Sequence, residues 1–205
     1  MSRTVDADQH AEKRRRILEA AIACFARKGF HSTSTAEICR AAGMSPGNLF
    51  HYFATKEAII LAIAEEDRRE TAMLFAAVES SSDMIGAIIQ IAERALAQFS
   101  DPLHAQITIE IAAEAMRNPS IAAMFVENDV ASVEALEQLL RSGVERDQID
   151  PGLDVRSTAL WLIALIEGAV GRATMDRTAD PQKTLDTLRT LVSRFLRTPS
   201  AKAGV

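Results

Sequence analysis

The sequence predicts an all-α protein: an N-terminal three-helix helix-turn-helix domain followed by a six-helix C-terminal bundle. Three observations carry this. Nine stretches place apolar residues at helical spacing, and no stretch shows the period of two that a half-buried strand requires. Helix start and stop residues bound most of them, with Ser, Thr or Asp ahead and Gly, Asn-Pro or Asp-Pro behind. Charge is also uneven. Residues 1–56 hold nine Lys and Arg against five Asp and Glu, whereas residues 57–205 hold 14 against 23, so the net charge of −5 conceals a basic N-terminal part.

Taken in order, residues 1–11 are polar and patternless and read as a mobile arm. A first helix begins in the run Lys13-Arg14-Arg15-Arg16 and ends near Lys28, with Ile17, Ala21, Cys24 and Phe25 on one side and Gly29 stopping it. The basic run is either a solvated helix start or a set of phosphate contacts, and the helix pair downstream favours phosphates. Ser34-Thr35-Ala36-Glu37 is a capping box that opens a helix through Ala42, which Gly43 ends. Ser45 then caps a short helix of about two turns, with Pro46 at the first position, where its missing N–H costs nothing. Thr55 caps a helix from Lys56 to about Glu79, and Ser80 to Asp83 break it. Further helices follow over Met84 to Phe99, Leu103 to Arg117, Pro119 to about Glu145, Asp154 to Met175, and Asp180-Pro181 to about Arg197. Asp101-Pro102, Asn118-Pro119 and Asp150-Pro151-Gly152 separate them. The tail Thr198–Val205 reads as disordered, so the expected division is 1–55, 56–197 and 198–205.

Two short capped helices joined by Gly43-Met44-Ser45 form a helix-turn-helix, whose second helix lies in the major groove of DNA. Leu49 and Phe53, four apart, face inward together, leaving Asn48, His51 and Tyr52 outward. Asn48 is the candidate for reading a base edge, and Gly47 for letting the backbone approach closely. Ser34, His51, Tyr52 and Lys56 are candidates for holding phosphates, Lys56 at a helix start where backbone N–H groups also attract an anion. Double-stranded operator DNA is therefore the expected partner.

The stretch from Arg16 to Glu57 resembles the N-terminal domain of the TetR family of transcriptional regulators. The likeness rests on Ile17-Leu18-Glu19-Ala20-Ala21, Phe25, Gly29-Phe30, Thr33-Ser34, Glu37-Ile38, Ala42-Gly43, Ser45, Gly47, Leu49, Tyr52-Phe53 and Lys56-Glu57. It covers about a fifth of the chain. Thr35 departs from the family pattern, which has an apolar residue there, and Phe50 stands where Tyr is frequent. With the resemblance, Thr33, Ser45, Pro46 and Phe50 join the expected DNA face. It also implies a homodimer whose C-terminal domain binds a small-molecule effector and leaves the operator. The Asn118-Pro119 turn and Leu165-Ile166-Glu167-Gly168 look like the subgroup typified by regulators of choline–betaine genes.

In the C-terminal part, Gln106, Glu110, Glu114 and Arg117 fall on one helical stripe, which reads as a solvated face. His104 and Thr108 sit among Ile111 and Ala115. Asn128 and Ser132 interrupt the apolar face made by Ile121, Met124, Phe125, Ala135, Leu136 and Leu139. They either bond neighbouring helices or line a mostly apolar ligand cavity. The candidate pocket is Phe99, His104, Thr108, Phe125, Asn128, Ser132, Trp161 and Glu167. The run Ala159–Val170 is apolar nearly all round except Glu167, so both its faces should be buried, one against a second chain. The expected dimer seam is Leu162, Leu165, Ile166 and Gly168. Glu167 either pairs with an arginine or touches the ligand.

No nucleophile elbow, phosphate loop or metal-spaced His/Cys cluster is present, which argues against an enzyme and gives no cofactor and no metal site. Cys24 and Cys39 read as small buried apolar residues. The N-terminus lacks an apolar segment, and no run reaches the length of a membrane span, so the expectation is a soluble, cytoplasmic regulator without a membrane partner. A repressor is the favoured form; an activator or a ligand-independent DNA-binding protein is the alternative.

Overall fold

The computed structural model describes residues 2–99, 101–176, 178 and 180–197, with only the backbone for residues 2–7, 99 and 174. The expected tail Thr198–Val205 lies outside them. Nine α-helices form among the described residues: α1 (Ser2–Lys28), α2 (Thr35–Ala42), α3 (Pro46–Tyr52), α4 (Lys56–Val78), α5 (Met84–Phe99), α6 (Pro102–Ala115), α7 (Pro119–Glu145), α8 (Val155–Met175) and α9 (Pro181–Leu196). No strand is present among them. Boundaries follow the caps. Ser34 closes the capping box with Glu37, Asp154 accepts from the Ser157 N–H, and Asp180 accepts from Gln182 and Lys183. Gly43 ends α2 in the left-handed region, at φ 64°, and Gly29 follows α1 at φ 80°; both positions suit a residue without Cβ. The N-terminal expectation is corrected: α1 starts at Ser2, not in the basic run, so the expected mobile arm is helix.

By contact the chain forms two compact units, cut differently from the expected division at Thr55. Residues up to 69 group with 103–126, and residues 70–102 group with those from 127 onward. In the first unit, Ile17, Phe25, Ile38, Leu49, Ile59 and Ile60 are sealed from solvent, and Ile107, Ile111 and Ile121 complete the same cluster. The first half of α4 and all but the first residue of α6 therefore belong with the helix-turn-helix. Their apolar stripes are what α1 and α2 bury against. Cys24 and Cys39 are buried free thiols within that core.

The second unit is built on Met84, Ile88, Leu136, Leu140, Leu162 and Val192. Glu137, 8% exposed, is neutralised by Arg141 at 2.5 Å and Arg156 at 3.0 Å, tying α7 to the first turn of α8. A buried carboxylate needs such partners. The end of α9 is fixed by the Asp150 N–H, which donates to the Leu196 carbonyl at 2.8 Å. Helix α8 is not buried all round: Leu162 is fully enclosed, whereas Trp161 is 70% exposed. No helix among the described residues is long and apolar enough to cross a membrane.

Because Leu162 is a core side chain, Leu162→Ala leaves a cavity and lowers stability by about 2–5 kcal/mol. Chemical denaturation should record this as a lower midpoint that does not depend on protein concentration beyond the wild-type dependence.

Candidate nucleic-acid interface

Helix α3 is short enough that its placement depends on its ends. The Ser45 hydroxyl accepts from the Asn48 N–H at 3.3 Å, Pro46 occupies the first turn, and the Phe53 N–H donates to the Leu49 carbonyl at 2.9 Å. Leu49 and Phe53 are buried and hold it to α1 and α4. Ser45, Pro46, Gly47, Phe50 and His51 are exposed, and Asn48 and Tyr52 are half-buried. A Cβ built on Gly47 would meet nothing within 4 Å, so the backbone there is open to close approach. Ser34, also exposed, sits at the start of α2, its hydroxyl engaged with Glu37. These eight residues occupy α3 and the start of α2, a surface of small, aromatic and amide tips.

Two residues expected on that surface are elsewhere. Thr33 is 2% exposed, and its hydroxyl donates to the carbonyls of Cys24 at 3.1 Å and Gly29 at 2.9 Å. It closes the end of α1 and cannot reach a duplex. Lys56 turns inward: Nζ donates to the carbonyls of Phe30 at 2.6 Å, Thr33 at 2.9 Å and His31 at 3.4 Å, and lies 4.3 Å from the centre of the Phe30 ring. All three ammonium protons are directed at the α1–α2 turn rather than at a phosphate. A cation suits this place, the turn that follows the negative end of the α1 dipole.

The three arginines of the basic run are likewise engaged, and Lys13 is exposed. Arg14 pairs with Glu66 at 3.6 Å and covers the Phe53 ring. Arg15 binds Glu12 and Glu19, and Arg16 donates to the Ala42 carbonyl at 2.8 Å, completing the C-terminus of α2. In the absence of DNA, neighbouring carboxylates and a helix end lie within reach of these long side chains, and Arg14 and Arg15 stay partly exposed beside them.

The carboxylates of α6 correct a second reading. Glu110 accepts from the Phe30 N–H at 3.0 Å. Glu114, 5% exposed, lies 2.8 Å from Nε2 of His31. Of the stripe expected to be solvated, Gln106 and Arg117 are exposed, while Glu110 and Glu114 are pressed onto the α1–α2 turn. Helical phase identifies a polar stripe but not the backbone that it meets. Glu37 is held down to about 2 by Lys28, by the Ser34 N–H and by the Ser34 hydroxyl.

The expected ligand residues divide between the units. In the first, His104 is half-buried with Nε2 3.9 Å from Asp67, Thr108 donates back to the His104 carbonyl, and Phe125 is 44% exposed. In the second, Asn128 and Ser132 are half-buried, and Asn128 Oδ1 is a buried acceptor without a hydrogen-bond partner among the described residues. The Phe99 side chain lies outside the described residues. Trp161 and Glu167 are exposed on α8. Glu167 has no arginine partner among the described residues; partial desolvation, and then Asp129, raise its carboxyl above the usual range.

Trp161 belongs instead to an open groove of about 920 Å³ along α8 and α9, lined by Leu165, Gly168, Arg172, Leu188 and Leu191. Of the expected seam residues, Leu165 and Gly168 line this groove. Leu162 and Ile166 point the other way and are buried in their own core. Both faces of α8 are apolar, so residue type could not distinguish them; Trp161 and Leu191 are the seam candidates that sequence reasoning missed.

Residues 17–63 match the profile described as bacterial regulatory proteins, tetR family, and residues 88–197 match the BetI-type transcriptional repressor C-terminal profile. The Escherichia coli K12 regulator UidR, an HTH-type transcriptional regulator, is 30% identical over 89% of this chain and 92% of its own length. The structure of Salmonella enterica GusR superposes with a TM-score of 0.76 at 30% identity, covering 90% of this chain and 95% of that one. Bacillus subtilis FadR, solved in complex with stearoyl-CoA, superposes at 0.77 with 20% identity over 89% and 98% of the two chains, a likeness of fold.

Removing the ammonium in Lys56→Met leaves the turn carbonyls without their donor. A loss of about 1–3 kcal/mol is expected in denaturant unfolding. The Glu37 contribution has a pH signature. Its folded pKa, about 2, lies below the ordinary 4.5, so its stabilisation is complete above about 4.5 and vanishes as pH falls toward 2. Glu37→Gln should flatten that part of the acid-unfolding curve.

Proposed function

This chain belongs to the TetR family of bacterial transcriptional regulators, and from that premise we propose that it is a homodimeric repressor released from a palindromic operator by a small molecule. Residues 1–55 carry the DNA contacts, and residues 56–197 carry the effector site and the dimer seam. The observation that carries the reading is α3 itself: Leu49 and Phe53 anchor it, while Gly47, Asn48, Phe50 and His51 stand out from it. Asn48 reads a base edge; Ser34, Ser45, His51 and Tyr52 position the phosphate backbone. Repression is supported by the C-terminal match to a repressor profile.

The open α8–α9 groove supports the dimer. Trp161, Leu191 and Phe195 are large apolar side chains left exposed on α8 and α9, the first two in the groove. A second copy related by a two-fold axis covers it with the same face, and the operator mirrors that symmetry in two half-sites. The unpartnered Asn128 Oδ1, with Ser132 one turn on, supports an effector wall on α7, where a ligand donor satisfies the orphan acceptor.

Glu110 and Glu114 supply the link to DNA within the first unit: a shift of α6 acts on the α1–α2 turn, and through it on the helix-turn-helix. Coupling of about 1–3 kcal/mol, or roughly 5- to 150-fold in affinity, is sufficient.

Sedimentation, duplex selection and variant binding test this. Wild type should sediment at twice the 22.3 kDa chain mass and select a near-palindromic duplex from a random library, two chains per duplex. Trp161→Glu with Leu191→Glu should give monomers and weaken operator binding at least tenfold, following the loss of the second half-site (about 1.4 kcal/mol per tenfold). A monomeric wild type, or a selected site without dyad symmetry, would overturn the proposal. Once an effector is identified by screening for release of that duplex, Asn128→Leu should blunt release while leaving operator affinity unchanged.

A further inference from the structure

Four cations around α3 are held by protein groups, whereas Lys13 and Arg40 are exposed. Arg14 pairs with Glu66, Arg15 with Glu12 and Glu19, Arg16 with the Ala42 carbonyl, and Lys56 with the α1–α2 turn. A duplex nevertheless presents one negative charge per ~1.7 Å of its axis, and a surface that binds it supplies positive charge. What α3 exposes is imidazole. His51 is exposed on α3, and His10 is exposed on the part of α1 that precedes the basic run. The His10 ring lies 4.6 Å from the Tyr52 ring, tilted by 38°, and 6.4 Å from the His51 ring. His51 meets Tyr52 edge to face at 5.5 Å. Three rings from α1 and α3 thus form one cluster, with Tyr52 half-buried between two solvent-facing imidazoles.

We propose that His10 is a DNA-contacting residue and that, with His51, it forms an imidazole pair whose protonation provides charge for phosphates, so that DNA binding takes up protons. This rests on the DNA-binding reading above. The surrounding groups are compatible with it. One turn along α1 lie Lys13 and Arg14, the latter paired with Glu66 of α4, and from α3 come Tyr52 and the other imidazole. Among the described residues no carboxylate pairs with His10 or His51, and a phosphate brought to α3 supplies an anion for both. An anion favours the protonated form of an imidazole, raising its pKa in the complex. The affinity gained is complete at low pH and is lost as pH rises through the raised value, about tenfold for each unit of rise.

The test is anisotropy of a labelled duplex, selected by this protein from a random library, titrated at constant ionic strength from about pH 6 to about pH 8, the range in which imidazoles titrate. Wild-type affinity should fall by about tenfold per participating imidazole across that range. His10→Gln should remove roughly half of the logarithmic change, and His10→Gln with His51→Gln nearly all of it. His31→Gln and His104→Gln, covering the remaining histidines, should retain it. A flat wild-type profile, or a slope unchanged in His10→Gln, would overturn the proposal. Failure of the wild type to select any duplex at any pH would overturn the DNA-binding reading itself, and this inference with it.

Discussion

The first unit depends on how the turn from Gly29 to Thr33 is satisfied. A 27-residue helix ends there, leaving carbonyls that point at no helical partner. The Thr33 hydroxyl caps the Cys24 carbonyl of α1, Lys56 directs one ammonium at three carbonyls of the turn beyond it, and Glu110 receives the Phe30 N–H. These groups come from α4, from the turn itself and from α6. The turn is consequently the place where four helices are pinned to one another, and the orientation of α2 and α3 follows from it. Glu114 adds a buried carboxylate whose partner, His31, is mostly exposed. A buried carboxylate is costly to leave without its partner, which makes this a specific contact.

Charge is spent on architecture in this protein. The basic run, Lys56 and the stripe on α6 all looked like surface electrostatics, yet most are tied to helix ends or to one another. Helix α3 carries an amide, a glycine, aromatic rings and one imidazole. Helix α3 itself carries no Lys or Arg, so what it offers is shape, hydrogen bonding and imidazole. The acidic remainder of the chain opposes contact with DNA anywhere else.

The second unit follows a different constraint. Helix α8 is apolar on two faces and can bury only one in its own core. Leu162 and Ile166 go inward, and Trp161, Leu165 and Gly168 line a groove with α9. The buried Glu137, held between Arg141 and Arg156, fixes the start of α8 against α7 and with it which face turns outward.

The sequence by itself determined the fold class, the order of the helices and nearly every boundary after Lys28, because caps, prolines and left-handed glycines act within a few residues of where they stand. It determined the helix-turn-helix and the inward pair Leu49 and Phe53 for the same reason. It misjudged the start of α1, where the first residues carry no apolar period to mark a helix. Only the tertiary structure decided the destinations of Lys56, Arg14 and Arg16, the burial of Thr33 and Glu114, and which side of α8 is open. A lysine or arginine spans several ångströms of flexible chain and takes the nearest unpaired carbonyl or carboxylate, whichever helix supplies it. Periodicity gives the phase of each helix about its own axis; it does not say what lies opposite, and partner identity is what separates a phosphate contact from a helix clamp.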